Sequence, residues 1–168
     1  AAIDILLYIS WAFRKLPKPF RYGTCAIAAL IHDVLMVIAV FAIFGSYLNL
    51  EINLMFITGL LTVIGYSVND TIVVFDRVRE NLSKATRQNF EVVVNNSLIE
   101  ILGRSLNTSL TTLVVLVAIF LFVGVAIRSF ILVLLVGIIS GTYSSIFIAS
   151  QLLVVWETGK LGGFKQGA

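Results

Sequence analysis

Four runs of about twenty or more mainly apolar residues, at 22–46, 52–75, 105–124 and 129–156, leave this chain few choices of fold. Each is long enough to cross the ~30 Å hydrocarbon core of a bilayer as a helix. Backbone groups in lipid find no water, so each run must satisfy its hydrogen bonds internally, which a helix does. The alternation of barrel strands is absent, and the runs are far too long for them. Charged residues make up 12% of the 168 and hydrophobic residues 59%, against roughly 25% charge in soluble domains. The expected fold is an all-α integral membrane bundle.

Residues 1–13 are apolar too, but at ~20 Å as a helix they are too short to span. No basic segment precedes them and Arg14 and Lys15 follow directly, which is unlike a signal peptide. They read as the end of a longer helix, so the expectation is five transmembrane helices, the first truncated, in a single transmembrane domain over 1–168. Pro17 and Pro19 break the chain before the next span. Residues 159–168, with four Gly and two Lys, read as a flexible tail.

Residues 76–103 form a polar connector between the second and third full spans. Phe90, Val94, Leu98, Ile101 and Leu102 recur at helical spacing, opposite Glu91, Asn95 and Asn96. This predicts an amphipathic connector helix lying in the membrane interface or against the ends of the spans. Lys and Arg give its side. Arg14, Lys15, Lys18, Arg21, Arg77, Arg79, Lys84, Arg87, Arg104, Lys160 and Lys165 share one side if the helices alternate, and Arg128 alone is on the other. The positive-inside rule puts the connector and the C-terminus in the cytoplasm. Basic residues placed this way answer to topology, not to nucleic acid. The single cysteine, Cys25, permits no internal disulfide and reads as a small buried residue.

Inside the apolar spans sit a few residues that are expensive there. Asp70 lies in the 52–75 run, where a charge costs roughly 2.5–3.5 kcal/mol. Gly59, Thr62, Tyr66, Asn69 and Asp70 are spaced as one helical stripe. A matching stripe of Arg104, Asn107, Thr108 and Thr111 begins the next span, and Arg104 is long enough to reach inward to Asp70. Burial disfavours a charged Asp and a nearby Arg favours it, so a changing Asp–Arg distance would bind and release a proton. Tyr66, Asn69 and Thr108 could hold waters or stabilise either state. The plainer alternatives are a hydrogen bond from Asp70 to a neighbouring helix and an Arg104 that snorkels to the interface.

His32 and Asp33 fall near the middle of the 22–46 run, a second costly site, though as neighbours in sequence they need not pair. Gly137, Gly141 and Ser144 are small residues at a helix-packing spacing. No zinc, phosphate-loop, dinucleotide or nucleophile pattern is present, and one His with one Cys does not build an ordinary metal site.

At these residues the chain resembles the SecF family, subunits of the SecD–SecF protein-export complex in the resistance-nodulation-division superfamily. The likeness rests on the run from Ile64 to Asn81, IGYSVNDTIVVFDRVREN, on Arg104 with Thr108-Ser109-Leu110-Thr111-Thr112-Leu113, on Gly137-Ile138-Ile139 and Gly141-Thr142-Tyr143-Ser144-Ser145-Ile146-Phe147, and on Ile31-His32-Asp33. Gln151 departs from the Pro often found there, and Asp4 lies in an apolar run. The resemblance implies a six-helix half-transporter, with a first helix and an outer domain ahead of this segment, in a bacterial or archaeal plasma membrane. It implies a translocase subunit, not an enzyme, using protons and no bound cofactor, with Asp70 and Arg104 tied to proton flow. Its implied partners are SecD (separate or fused upstream), the SecYEG translocon, exported unfolded polypeptide and membrane lipids. Half of a small-molecule or lipid exporter of the same superfamily, or a non-transporting scaffold, are the alternatives.

Overall fold

The computed structural model describes residues 19–48, 52–85 and 89–159. The short segment 1–13 and residues 160–168 of the tail lie outside the described residues. Helix α1 spans Pro19–Leu48, α2 Leu54–Lys84, α3 Phe90–Phe122 and α4 Val125–Ser144. A π-helical turn, Ser145–Ala149, then joins α4 to α5, Ser150–Thr158. Counting α4 through α5 as one rod, four helices among the described residues are long and apolar enough to cross a membrane.

Local signals mark the ends. Asn53 caps α2, its Oδ1 accepting from the backbone N–H of Met55 at 3.0 Å and Phe56 at 3.2 Å. Gly159 ends α5 at φ 68°, a left-handed conformation that favours glycine. Only Val123 and Gly124 separate α3 from α4, which forces an antiparallel turn.

The amphipathic stretch does not form a helix of its own. α2 continues past Phe75 to Lys84, and α3 begins at Phe90 and runs unbroken into the span. Val94 and Ile101 belong to the same buried cluster as Val74, Phe75 and Val78. The stripe was apolar because it packs onto the end of α2 within the bundle. With 31 and 33 residues, α2 and α3 reach ~46–50 Å, so their charged ends project beyond a ~30 Å hydrocarbon core.

Two apolar cores occupy opposite ends of the bundle. One gathers Tyr22, Cys25, Ala26, Ala29, Val74, Phe75, Val78, Val94, Ile101, Ala149 and Leu153. The other gathers Val37, Phe41, Phe56, Val63, Leu116, Ile131, Val133, Leu134 and Ile138. In sequence, Asp33, Ser67, Asp70, Ser105 and Ser140 to Ser145 fall between the two sets on their helices.

α2 and α4 make the most extensive contact in the bundle. Gly59, Val63 and Ser67 of α2 meet Val133, Gly137 and Gly141 of α4. A Cβ on Gly137 would lie 2.2 Å from Val63 Cγ2, and one on Gly141 would lie 3.1 Å from Ser67 Cβ. Small residues thus bring the two backbones together where the polar side chains must reach across. Steps of four residues drift by about 40° on an α-helix. The extra residue of the π turn offsets that drift and keeps Gly141, Ser145, Ala149 and Leu153 buried in succession.

Candidate functional site

Asp33 is the most enclosed charged side chain among the described residues, at 1% exposure. Three serine hydroxyls donate to it. Ser67 of α2 and Ser144 of α4 reach Oδ2 at 2.6 and 2.7 Å, and Ser140 of α4 reaches Oδ1 at 2.9 Å. His32 Nδ1 lies 3.2 Å from Oδ1. A carboxylate has about four acceptor positions, and this one has a partner for each. The two neighbours in sequence do meet, although nothing in their spacing required it.

Asp70 is half-buried and has fewer partners. Ser105 of α3 donates to its Oδ1 at 2.8 Å, and Ser145, at the start of the π turn, donates to its Oδ2 at 2.5 Å. It therefore ties three elements together with acceptor capacity to spare. Beside it on α2, Thr71 is 1% exposed and its Oγ1 is the one buried side-chain polar atom without a hydrogen-bond partner among the described residues.

Arg104 does not meet Asp70 here. No ion pair joins the two. Arg104 is exposed and lines, with Asp76, Arg77, Glu80 and Glu100, a cavity of about 430 Å³ at the projecting ends of α2 and α3. The whole Arg104, Asn107, Thr108, Thr111 stripe lies on the outer surface of this bundle. Thr108 Oγ1 donates to the Arg104 carbonyl of its own helix at 2.9 Å. The inward face of α3 is one position later, at Ser97, Ile101, Ser105 and Ser109. On α2, Asn69 is exposed and Thr62 Oγ1 bonds its own helix at Thr58. Tyr66 is half-buried, its hydroxyl 3.5 Å from Ser109 Oγ. Ser109 donates onward to Thr142 Oγ1 at 2.6 Å, because Thr142 commits its own proton to the Ile138 carbonyl at 2.8 Å.

Sequence reasoning found both carboxylates and missed their ligands. The pattern of polar stripes passes over Ser67, Ser105, Ser140 and Ser145 as ligands, and Ser144 reads with the packing glycines. The available signal was register. Ser140 and Ser144 repeat at four residues on the face that carries Gly137 and Gly141.

The projecting end carries a charged latch. Arg77 bonds Glu100 of α3 at 2.6 Å and Glu80 at 2.5 Å, while Asn81 bonds Glu100 at 2.9 Å and Lys84 bonds Glu80 at 2.6 Å. Asn81 and then Arg77 hold the Glu100 carboxyl below the usual range, and Lys84 and then Arg77 do the same for Glu80. At the same end, Arg21 of α1 pairs with Glu157 of α5 at 2.6 Å.

These features define a multi-pass membrane protein that holds ionisable side chains inside its helix bundle, the arrangement expected where ions or substrates are handled. The chain belongs to the SecD/SecF C-terminal family of protein export membrane proteins, whose family model matches residues 1–159. It is similar to the protein translocase subunit SecF of Thermobaculum terrenum, 57% identical over 94% of this chain and 50% of that protein. The SecF subunit of Anaerolinea thermophila is 49% identical over 100% of this chain and 55% of that protein. A crystal structure of SecDF in a super-membrane-facing form matches with a TM-score of 0.84 at 39% identity, over 94% of this chain and 20% of the other. Another, of SecDF from Thermus thermophilus, described as a translocon-associated membrane protein, matches with a TM-score of 0.79 at 40% identity, over 91% and 20%. The chain spans about half the length of the curated relatives it matches.

Proposed function

We propose that this chain is the membrane-embedded part of a SecF-type accessory subunit of the protein translocase, in which proton movement through the bundle assists polypeptide export. The role is transport, not enzymatic turnover, and needs no bound cofactor. SecD, the SecYEG translocon and unfolded exported polypeptide are its partners on this reading, supported by the names and translocon association of the similar proteins. The clustering of Arg and Lys in the 76–104 region and the tail supports a cytoplasmic placement of that end. A half-exporter for small molecules would share the carboxylate, but the similar proteins are export subunits.

One observation carries the reading: Asp70 is a half-buried carboxylate held by a single hydroxyl from each of two other elements, Ser105 and Ser145. Protonation removes the charge that both hydroxyls serve and so loosens α3 and the π turn from α2. Successive helical residues differ by about 100° in direction, so a turn of α3 by one position would exchange Ser105 for Arg104 at Asp70. Arg104 then re-forms the carboxylate by favouring its charged state, and proton release is tied to helix rotation.

The test is proton-gradient-dependent export into inverted vesicles that carry the full-length protein in its complex. Asp70→Asn and, separately, Arg104→Met are expected to abolish the gradient-dependent part while insertion and assembly persist. Undiminished export by either variant would overturn the reading.

A further inference from the structure

Ser144 and Ser145 are consecutive, yet they serve different carboxylates on different helices. Ser144 donates to Asp33 of α1 at 2.7 Å, and Ser145 donates to Asp70 of α2 at 2.5 Å. Each hydroxyl has one proton and a second acceptor within reach on its own helix. Ser144 Oγ lies 3.2 Å from the Gly141 carbonyl, and Ser145 Oγ lies 3.1 Å from the Thr142 carbonyl. Both are fully buried, so water does not compete. The pair sits where α-helical bonding gives way to the π turn. A π turn is a local rearrangement of helix bonding, frequent at functional sites, and here an i→i−3 serine bond is the obvious competitor for each carboxylate bond.

We propose that Asp33 is a positioning residue for Asp70, acting through Ser144: by holding that hydroxyl, its carboxylate fixes the junction of α4 and the π turn in the register that delivers Ser145 to Asp70. Asp33 suits the part because its partners come from both faces it touches, Ser67 on α2 and Ser140 with Ser144 on α4. It is a fixed anchor where Asp70 is the loosely held group. When Ser144 lets go, the junction is free to shift and Ser145 turns to the Thr142 carbonyl. Asp70 then keeps only Ser105. This inference rests on Asp70 taking up a proton as proposed above.

The titratable and charged groups on the elements packed around Asp70 are placed differently. On α2 they are Tyr66 one turn before it and Asp76 and Arg77 toward the latch. On α3 they are Glu100 and Arg104 at the cavity, and on α1 His32 beside Asp33. α4 and the π turn contribute only Arg128 at the far end and an exposed Tyr143. Ser144 changes no charge when it is replaced, so its variants isolate geometry from electrostatics.

The experiment follows the protonated-carboxyl stretch of the full-length protein in lipid vesicles by infrared difference spectroscopy across pH. The Asp70 band is the one that Asp70→Asn removes. Ser144→Ala is expected to let Asp70 half-protonate at a proton concentration at least threefold lower, as Ser145→Ala does, because a donor to the carboxylate is lost in both. The double variant is expected to add little more, since both act on one bond. Ser144→Cys keeps the shape in a slightly larger side chain with a weak donor and is expected to shift in the same direction, which covers a failure of the alanine variant to assemble. A Ser144 variant that leaves the Asp70 midpoint in place while Ser145→Ala moves it overturns the inference. An Asp70 band that never titrates overturns instead the reading of Asp70 as the proton carrier.

Discussion

Ser105 donates to Asp70 Oδ1 at 2.8 Å, and the residue before it, Arg104, faces a cavity at the end of α2 and α3 instead. The acid is thus tied to α3 by a short neutral donor, with the cation one helical position away. On the proposed reading, that arrangement separates holding Asp70 from releasing its proton. It also means that Asp70, costly in an apolar bundle, is solvated by hydroxyls in place of an internal salt bridge, while Asp33 has three hydroxyls with His32 beside them. A buried ion pair gains little over its desolvation cost, whereas serine donors satisfy a carboxylate and can swing back to their own helix when it is neutral.

Thr71 offers a test of how completely that hydroxyl layer is satisfied. Its Oγ1 is buried and without a partner among the described residues. Valine has the same shape without the hydroxyl, and an unpaired buried polar group costs roughly 1–3 kcal/mol. Thr71→Val is therefore expected to stabilise the protein by about 1 kcal/mol, read as a higher melting temperature of the full-length protein in detergent. A melting temperature that drops would show that the hydroxyl has a partner in the full-length protein.

Gly137 faces Val63 so closely that any side chain must displace it. Gly137→Ala is expected to destabilise by about 1–3 kcal/mol through overpacking. Val63→Ala removes the two nearest atoms that a new Cβ would meet, Cγ1 and Cγ2, and leaves the Val63 Cβ at 2.8 Å, so the double variant should recover part of the loss, a coupling that residues in contact show and distant ones do not. Gly65→Ala, where a Cβ meets open space, is the control and should be neutral or stabilising. Thermal melting of the native protein and these four variants decides it, and equal losses at Gly137 and Gly65 would refute the close packing.

The sequence made the helices legible because apolar runs of this length have one physical solution. It made Asp33 and Asp70 legible because charge in such runs is costly. It did not disclose which way each helix faces. On α3 the polar stripe from Arg104 looked like the inner face, but the buried face is Ser97, Ser105 and Ser109, one position later. A bundle packed through small residues can bury serine and expose threonine and asparagine, so polarity alone does not give the rotation. The amphipathic connector misled for a related reason. Its apolar side packs on α2, and a stripe carries no label for what covers it. The π turn has no signature at all in composition, since five residues of SIFIA suit either helix type.

The latch at the projecting end should respond to acid with a definite sign. Glu100 and Glu80 are both held below their ordinary carboxyl range, by Asn81 with Arg77 and by Lys84 with Arg77 respectively. A carboxyl lowered on folding contributes stability above its unfolded value, about 4.3, and loses it as pH falls through the lowered value. Amide protection at 78–85 and 93–100, corrected for intrinsic exchange, is expected to hold between pH 7 and 5 and to fall below about pH 4. Both carboxylates are exposed, so the effect is modest and weakens with salt. Loss of protection between pH 7 and 5 would point to a different titrating group.

Arg104 and Ser105 should separate function from stability. Arg104 is exposed and joined to no acid in this state, so Arg104→Met is expected to change stability by less than about 0.5 kcal/mol while removing gradient-driven export. Ser105 is buried and donates to a carboxylate. Ser105→Ala is expected to cost roughly 1.5–3 kcal/mol, the usual worth of a hydrogen bond to a charged group, and to reduce export without abolishing it, because on the proposed reading Arg104 still reaches Asp70 when α3 turns. Melting curves and export measured on the same preparations give both readouts. The opposite split, with Arg104→Met strongly destabilising and Ser105→Ala inactive, would mean that Asp70 is discharged through the serine and that α3 does not turn.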